Sequence, residues 1–408
     1  MLDQGSIYSQ YGLGMPVVNG SSAADGMGIW GVSFIELNVP GIANPAHWGS
    51  TVYATATGGF ELNSFYSEDQ NSTAKRFDLN INHFQLILPV YKNKLGVSVG
   101  FMPYTNTAYQ TLERGREINE ADTIDFATRH SATGGINKLQ AGIGWRITDN
   151  ISIGYAASLV FASIDNTYNT FLKKDEPFQP IDYTLQTSGI GWGNRLGAYF
   201  NFPSLFAEDD QLSLGASLTL PVDINAERKL KTLITNKNED GELQNKQDVE
   251  KGSIHLPTSI LTGVTYKPNS KLAVSVEGLY QEWSSFKNTL RPNAKNFLTD
   301  RYKLGAGIRY FPFITGSDKF LSNFKYRLGI SYDKGHLNLK GHHIETLMFS
   351  FGLGYITPIQ SLSNSSIDIS FHYGIRGTKA NNLVQEDIWK IKLSINLAEL
   401  FFYRPKVR

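Results

Sequence analysis

The sequence predicts an all-β fold, a transmembrane antiparallel β-barrel of about fourteen strands with an N-terminal plug (hatch) segment in its lumen. Three observations carry this expectation. From about Val52 to Phe402, stretches that alternate large apolar with polar residues recur roughly fourteen times. The gaps between these stretches run long, short, long, short. The first fifty residues do not alternate at all.

In order, the strands read near 52–66, 77–90, 95–104, 136–147, 151–163, 183–202, 212–224, 254–266, 272–284, 302–310, 324–332, 344–356, 367–375 and 389–397. The clearest are the later ones. Trp389, Ile391, Leu393, Ile395 and Leu397 alternate with Lys390, Lys392, Ser394 and Asn396. Tyr302, Leu304, Ala306, Ile308 and Tyr310 alternate with Lys303, Gly305, Gly307 and Arg309. One face is greasy from end to end, with aromatics toward its ends, and the other is charged or small. An even strand number is the rule for bacterial single-chain barrels. Sandwiches and propellers alternate too, but they favour strands of about 5–6 residues and give no reason for unequal gaps.

The gaps orient the molecule. Those after odd strands are expected as long polar loops near 67–76, 105–135, 164–182, 225–253, 285–301, 333–343 and 376–388. Those after even strands are shorter, and Tyr91–Lys94 and Thr148–Asn150 read as hairpin turns. Long loops then face outward and short turns inward, with both chain ends on the short-turn, periplasmic side.

Composition agrees. Aromatic residues make up 12% of the 408 residues, with 20 Tyr, 24 Phe and 38 Gly, a mixture suited to strands and interfacial girdles. There is no cysteine, so disulfides, thiol nucleophiles and thiolate metal sites are excluded. The net charge is +1 with no basic block, which argues against a nucleic-acid partner. No run of about 18 apolar residues suggests a membrane helix. The chain opens Met-Leu-Asp-Gln-Gly-Ser without a basic or apolar leader and reads as a mature form.

Residues 1–50 are expected to form the plug and 51–408 the barrel. A lumen of fourteen strands is wide enough to need filling. Gly26, Gly28 and Gly31 spell G-x-G-x-x-G, but no strand precedes them. They read as a chain threading a crowded lumen, where glycine permits close approach. Asn44-Pro45-Ala46 follows, just before the first strand.

On the Gly-Met-Gly-x-x-Gly stretch at 26–31, on Asn44-Pro45-Ala46 and on the strand number, the chain resembles the FadL-type outer-membrane transporters of long-chain fatty acids and other hydrophobic compounds. The resemblance covers nearly the whole chain. It implies a bacterial outer-membrane location and an N-terminal hatch containing Asn-Pro-Ala. It also implies passive transport of a hydrophobic, fatty-acid-like ligand, with escape through a lateral gap near a kinked third strand. Here that strand ends in Gly100-Phe101-Met102-Pro103, and the opening is expected at Gly100, Phe101 and Pro103, since proline cannot donate to a ladder. One departure is the region 105–130. It carries Glu113, Arg114, Arg116, Glu117, Glu120, Asp122 and Asp125 rather than an amphipathic helical pair. The alternative function is a non-transporting barrel acting as subunit or shuttle of an outer-membrane secretion or assembly complex, and a third reading is a passive porin. The expected partners are therefore membrane lipid, a hydrophobic ligand or an outer-membrane complex partner.

No enzyme, cofactor, metal or catalytic residue is expected. The eight histidines, His47, His83, His130, His255, His336, His342, His343 and His372, are scattered. Neighbours such as His342-His343 point to opposite faces of an extended chain. No Gly-x-Ser-x-Gly accompanies them. Asn236–Glu242 faintly resembles a calcium loop with the wrong ligand spacing and reads as a solvated turn. If the greasy faces meet lipid, Arg195, Glu277, Lys303, Arg309, Lys325, Arg327, Asp368, Arg376, Lys390 and Lys392 point inward. Arg309, Arg327 and Arg376 are candidate anchors for a ligand carboxylate. The competing reading is a lumenal salt-bridge network that fixes the plug, with Glu277 and Asp368 as partners.

Overall fold

A computed structural model describes residues 5–36, 39, 41–119, 122–172, 181–234, 248–312, 320–356 and 365–399. Its strands in chain order are β1 (Ala54–Glu68), β2 (Thr73–Tyr91), β3 (Leu95–Asn106 and Tyr109–Asn119), β4 (Asp122–Arg146) and β5 (Ile151–Leu172). Then come β6 (Ile181–Pro203), β7 (Gln211–Thr219 and Val222–Ile234), β8 (Asp248–Leu256 and Ser259–Lys267), β9 (Leu272–Gln281) and β10 (Arg301–Tyr310). The last four are β11 (Phe324–Asp333), β12 (Thr346–Ile356), β13 (Ser366–Gly377) and β14 (Gln385–Glu399). Each strand pairs antiparallel with the next, and β14 returns to β1 from Ala54↔Glu399 to Glu68↔Gln385. The fourteen strands form a closed barrel. The interruptions in β7 and β8 fall at Pro221 and Pro257, which have no N–H for the ladder.

The alternation faces as its chemistry demands. On β10, Leu304 is exposed toward lipid while Arg301 and Arg309 are buried inward. On β14, Trp389 and Leu397 face out while Lys392, Ser394 and Asn396 are buried. The turns at 91–94 and 148–150 are present. Asn93 takes a left-handed φ of 56°, and the Thr148 hydroxyl accepts the N–H groups of Asn150 and Ile151.

Two expectations about the outer side are corrected. Among the described residues, the stretches near 105–135, 164–182 and 225–253 are largely strand, not loop. Tyr109–Asn119 pairs with Asp122–Ala132, and β4 pairs with β5 as far as Phe126↔Leu172. Both faces of these segments stand above the apolar belt, so no greasy face marks them as strand. The connection after β1 is also only the turn Asp69–Ser72, in which the Asp69 carboxylate accepts the N–H groups of Asn71 and Ser72 at 2.7 Å each. The wall is therefore uneven: β4 runs 25 residues and β10 only 10. Asn236–Glu242 lies outside the described residues.

Residues 5–36 and 41–53 lie against the inward faces of the strands. A single helical turn, Ser22–Asp25, is capped by Ser21, and a 3-10 turn, Pro45–Ser50, is capped by Asn44. The start of this segment corrects a third expectation. Its first described residues sit at the long-connection end, where Ser6 and Ile7 bond Glu386. It reaches the short-turn end at Ile35, whose carbonyl accepts from Lys267, and again at Thr51, whose carbonyl accepts from Asn93. A buried apolar cluster lies at the outer end. Tyr8 and Leu13 of the segment pack there with Trp283, Phe286, Leu290, Leu298 and Leu339 of the connections and with Ile164, Ile224 and Ile254 of the tall wall.

Candidate functional site: a lumenal cavity behind an unpaired seam

The inner wall grips the N-terminal segment at several points. Glu36 meets three cations: Lys325 Nζ at 2.9 Å, Arg327 Nη2 at 2.8 Å and Arg309 Nε at 3.3 Å. Arg327 also pairs with Asp368 at 2.8 Å. Asp25 pairs with Lys392 at 3.0 Å, and Lys392 and Lys390 share Glu61 at 3.2 and 2.8 Å. Glu277 accepts the N–H groups of Trp30 and Gly31 at 2.8 Å and of Ser33 at 3.1 Å. Arg195 and Lys267 donate to the carbonyls of Ile42 and Ile35 at 3.0 Å. Removing one partner of such a buried pair costs about 3–5 kcal/mol, because the other charge is left uncompensated.

The glycines explain how the segment comes so close. Gly28 has a left-handed φ of +69°, and a Cβ there would meet Ile330 backbone atoms at 2.9 Å. Across from it a Cβ on Gly329 would meet the Met27 carbonyl carbon at 2.0 Å, so backbone packs on backbone. Asn44 is fully buried. Its Oδ1 accepts from Ala46 N, and its Nδ2 donates to Val32 O at 3.0 Å and to Ala198 O on β6 at 2.9 Å. Asn44-Pro45-Ala46 thus caps a turn and pins it to the wall at once.

The wall itself is incomplete between β2 and β3. Their ladder runs from Tyr91↔Leu95 to Phe84↔Phe101 and stops. Beyond that point Thr73–His83 pairs with β1 alone, and Met102–Asn106 pairs with β4. Both strands are irregular at this level, with register shifts at Gly59/Phe60 opposite β2 and at Pro103/Thr105 in β3. Pro103 has no N–H, and its carbonyl accepts from Asn19 Nδ2 at 2.7 Å. The N-terminal segment covers the inner side of the free β3 edge through Met15↔Asn106, Pro16↔Thr105 and Val17 N to Tyr104 O. Across the seam itself run side-chain bonds, Asn106 Nδ2 to Asp78 at 2.8 Å and Arg76 Nη2 to Gln110 O at 3.5 Å.

A cavity of about 520 Å³ lies behind this seam. Its inner boundary includes Trp30, Arg301, Lys303 and His372. Its outer boundary includes Leu79, Ile81 and Phe101, which belong to the outward-facing set of their strands. Leu79 is 72% exposed and Ile81 54%, so the cavity is bounded by residues from both faces of the wall. Among its cations, Arg301 pairs with Asp333 at 2.6 Å and Arg376 with Glu386 at 3.5 Å. Lys303 forms no ion pair among the described residues, and its ammonium stands 4.9 Å over the Trp30 ring. His372 bonds Ser350 through one ring nitrogen and Ser370 through the other, at 2.7 and 2.9 Å.

The structure brings Gly26, Gly28, Gly31, Asn44, Pro45 and Ala46 to the inner wall, and it puts Gly100, Phe101 and Pro103 where the ladder ends. Arg309, Arg327 and Arg376 do hold carboxylates, but those are Glu36, Asp368 and Glu386 of the same chain. Glu277 differs from the expected ion-pair partner: it accepts from backbone N–H groups and from the Ser33 hydroxyl. Glu36, Asp25, Glu61 and Asp78 were not anticipated. A signal existed for Glu36, the one carboxylate in the apolar run Val32–Glu36, opposite a lumenal surplus of Arg and Lys.

A family model described as BamG matches residues 3–408. No curated protein sequence matches the chain. Among solved structures, a Pseudomonas aeruginosa FadL homologue aligns with a TM-score of 0.64 at 13% identity, covering 95% of this chain and 100% of that one. The CymD monoaromatic hydrocarbon channel aligns at 0.53 and 16%, over 96% and 99%. The Ralstonia pickettii toluene transporter TbuX aligns at 0.54 and 13%, over 94% and 99%. At these identities the likeness is one of fold, the FadL-type outer-membrane barrel.

Proposed function

The chain belongs to the BamG family, and from that premise and the barrel fold we propose that it passes hydrophobic, fatty-acid-like small molecules between its lumen and the bilayer. Residues 1–50 act as the plug, and the β2–β3 seam at Gly100, Phe101 and Pro103 acts as a lateral passage. The carrying observation is the cavity, which is bounded by outward-facing and inward-facing residues where the ladder stops. Energetics favours this route over an axial one. Passage along the axis would break the ion pairs of Glu36 and Asp25, whereas sideways passage breaks the bonds of Asp78 and Arg76. The structural relatives CymD and TbuX are described as a monoaromatic hydrocarbon channel and a toluene transporter, which supports a hydrophobic cargo. No energy source is required, since cargo runs down its gradient.

The test is a disulfide across the seam, Asp78→Cys with Asn106→Cys, in proteoliposomes loaded with radiolabelled oleate or toluene. Oxidation is expected to lower flux about tenfold and reduction to restore it. Flux that ignores the crosslink sinks the lateral route.

A second reading, a non-transporting barrel serving an outer-membrane secretion or assembly complex, is favoured by closure at both ends: the ionic grip below and the apolar cluster above. Gentle extraction at native expression separates the two. A stoichiometric large partner with no measurable flux supports the second reading, and a lone monomer with flux supports the first.

A further inference from the structure

Among the cavity's cations one has no ion pair among the described residues, and among its carboxylates Asp78, at the seam, has only the amides of Asn80 and Asn106 as partners. Arg301, Arg376, Lys390 and Lys392 each pair with a carboxylate of the chain. Lys303 does not, and the nearby Asp333 is already engaged by Arg301. The Trp30 ring meets its charge from one side but supplies no hydrogen-bond acceptor along the N–H directions. Lys303 is half-buried with its ammonium open to the cavity, where an anion would supply the acceptors that the chain does not. Lys138 and Lys267 are other lumenal lysines without an ion pair among the described residues. Lys138 stands over Tyr104, Lys267 donates to the Ile35 carbonyl, and neither lines the cavity.

The shape limits what the anion can be. The apolar cluster around Trp283 and Leu290 lies toward the outer end, and the gripped segment toward the inner end. The cavity reaches lipid-facing residues only at the seam, past Leu79, Ile81 and Phe101. A space of about 520 Å³ takes a headgroup and a few methylenes, not a two-chain lipid. The remaining chain must stay outside, on the apolar surface that these three residues continue.

We propose that the cavity binds the monoanionic phosphodiester headgroup of a phospholipid drawn from the bilayer, with Lys303 as its counter-charge and its acyl chains leaving through the β2–β3 seam. This rests on the seam reading above and names the ligand class of that site. The ligand enters from the membrane and not from the outer medium.

Native mass spectrometry of delipidated protein in detergent tests it, with 1-palmitoyl-2-oleoyl-phosphatidylglycerol, palmitate and the matching diacylglycerol as probes. The wild type is expected to hold one phosphatidylglycerol, with binding of diacylglycerol about tenfold weaker. Lys303→Gln is expected to lose about tenfold in phosphatidylglycerol binding, while Lys303→Arg keeps it. Equal binding by Lys303→Gln and wild type, or equal binding of diacylglycerol, overturns the headgroup assignment. A preference for palmitate overturns the phospholipid and leaves the lateral route standing. The transport reading is tested separately by toluene flux through the crosslinked seam, so failure of lipid binding and failure of flux are read in different experiments.

Discussion

Glu36 is the residue on which the inner grip turns. It meets Arg309, Lys325 and Arg327, and only Arg327 has a second carboxylate, Asp368, to fall back on. Glu36→Ala is therefore expected to destabilise the folded barrel by about 3–5 kcal/mol, read as a lower urea midpoint in detergent at unchanged slope. Gly28→Ala should also destabilise, by about 1–3 kcal/mol, since it combines a left-handed φ with a Cβ facing backbone at Ile330. Both effects are checked in the same titration. Inward-facing cations were legible from strand alternation alone, because period two assigns each residue a face. Their partners were not, since Glu36 and Asp25 lie in a segment without period, where no rule links sequence spacing to position in space.

At the scale of elements, the N-terminal strap and the seam act together. Residues 6 and 7 hold Glu386 on β14, and residues 15–17 line the β3 edge, so one stretch spans the inner side of the opening. Deleting residues 1–16 is expected to leave the barrel folded while exposing that edge. Amide exchange should rise at Tyr104–Asn106 and stay unchanged in the β9–β12 ladders, and protection retained at Tyr104–Asn106 would sink the idea. The strands were legible wherever one face meets lipid, because burial against lipid writes alternation into sequence. They were illegible in Tyr109–Asn119 and the other projecting segments, where water on both faces removes the pressure. The seam was half legible: Pro103 marked the end of the ladder, but the opposing irregularity at His83 carried no comparable signal.

For the whole molecule, the proposed plug predicts almost no conductance. Planar-bilayer recordings of the full chain are expected to show none of the high ohmic steps of an open porin, and removal of residues 1–50 is expected to create them. Large steps from the full chain would show that the lumen is not sealed. The closing of β14 on β1 has a further consequence, one of order in time. The N-terminal segment is held on several sides by residues from β3 to β14, on a wall that β14 joins to β1. The N-terminal segment must therefore be in place inside a still-open sheet before the last strand arrives. Biogenesis thus has a deadline: a peptide of residues 1–50 offered to an already closed barrel should fail to bind, whereas the same peptide present while the sheet is folding should be captured.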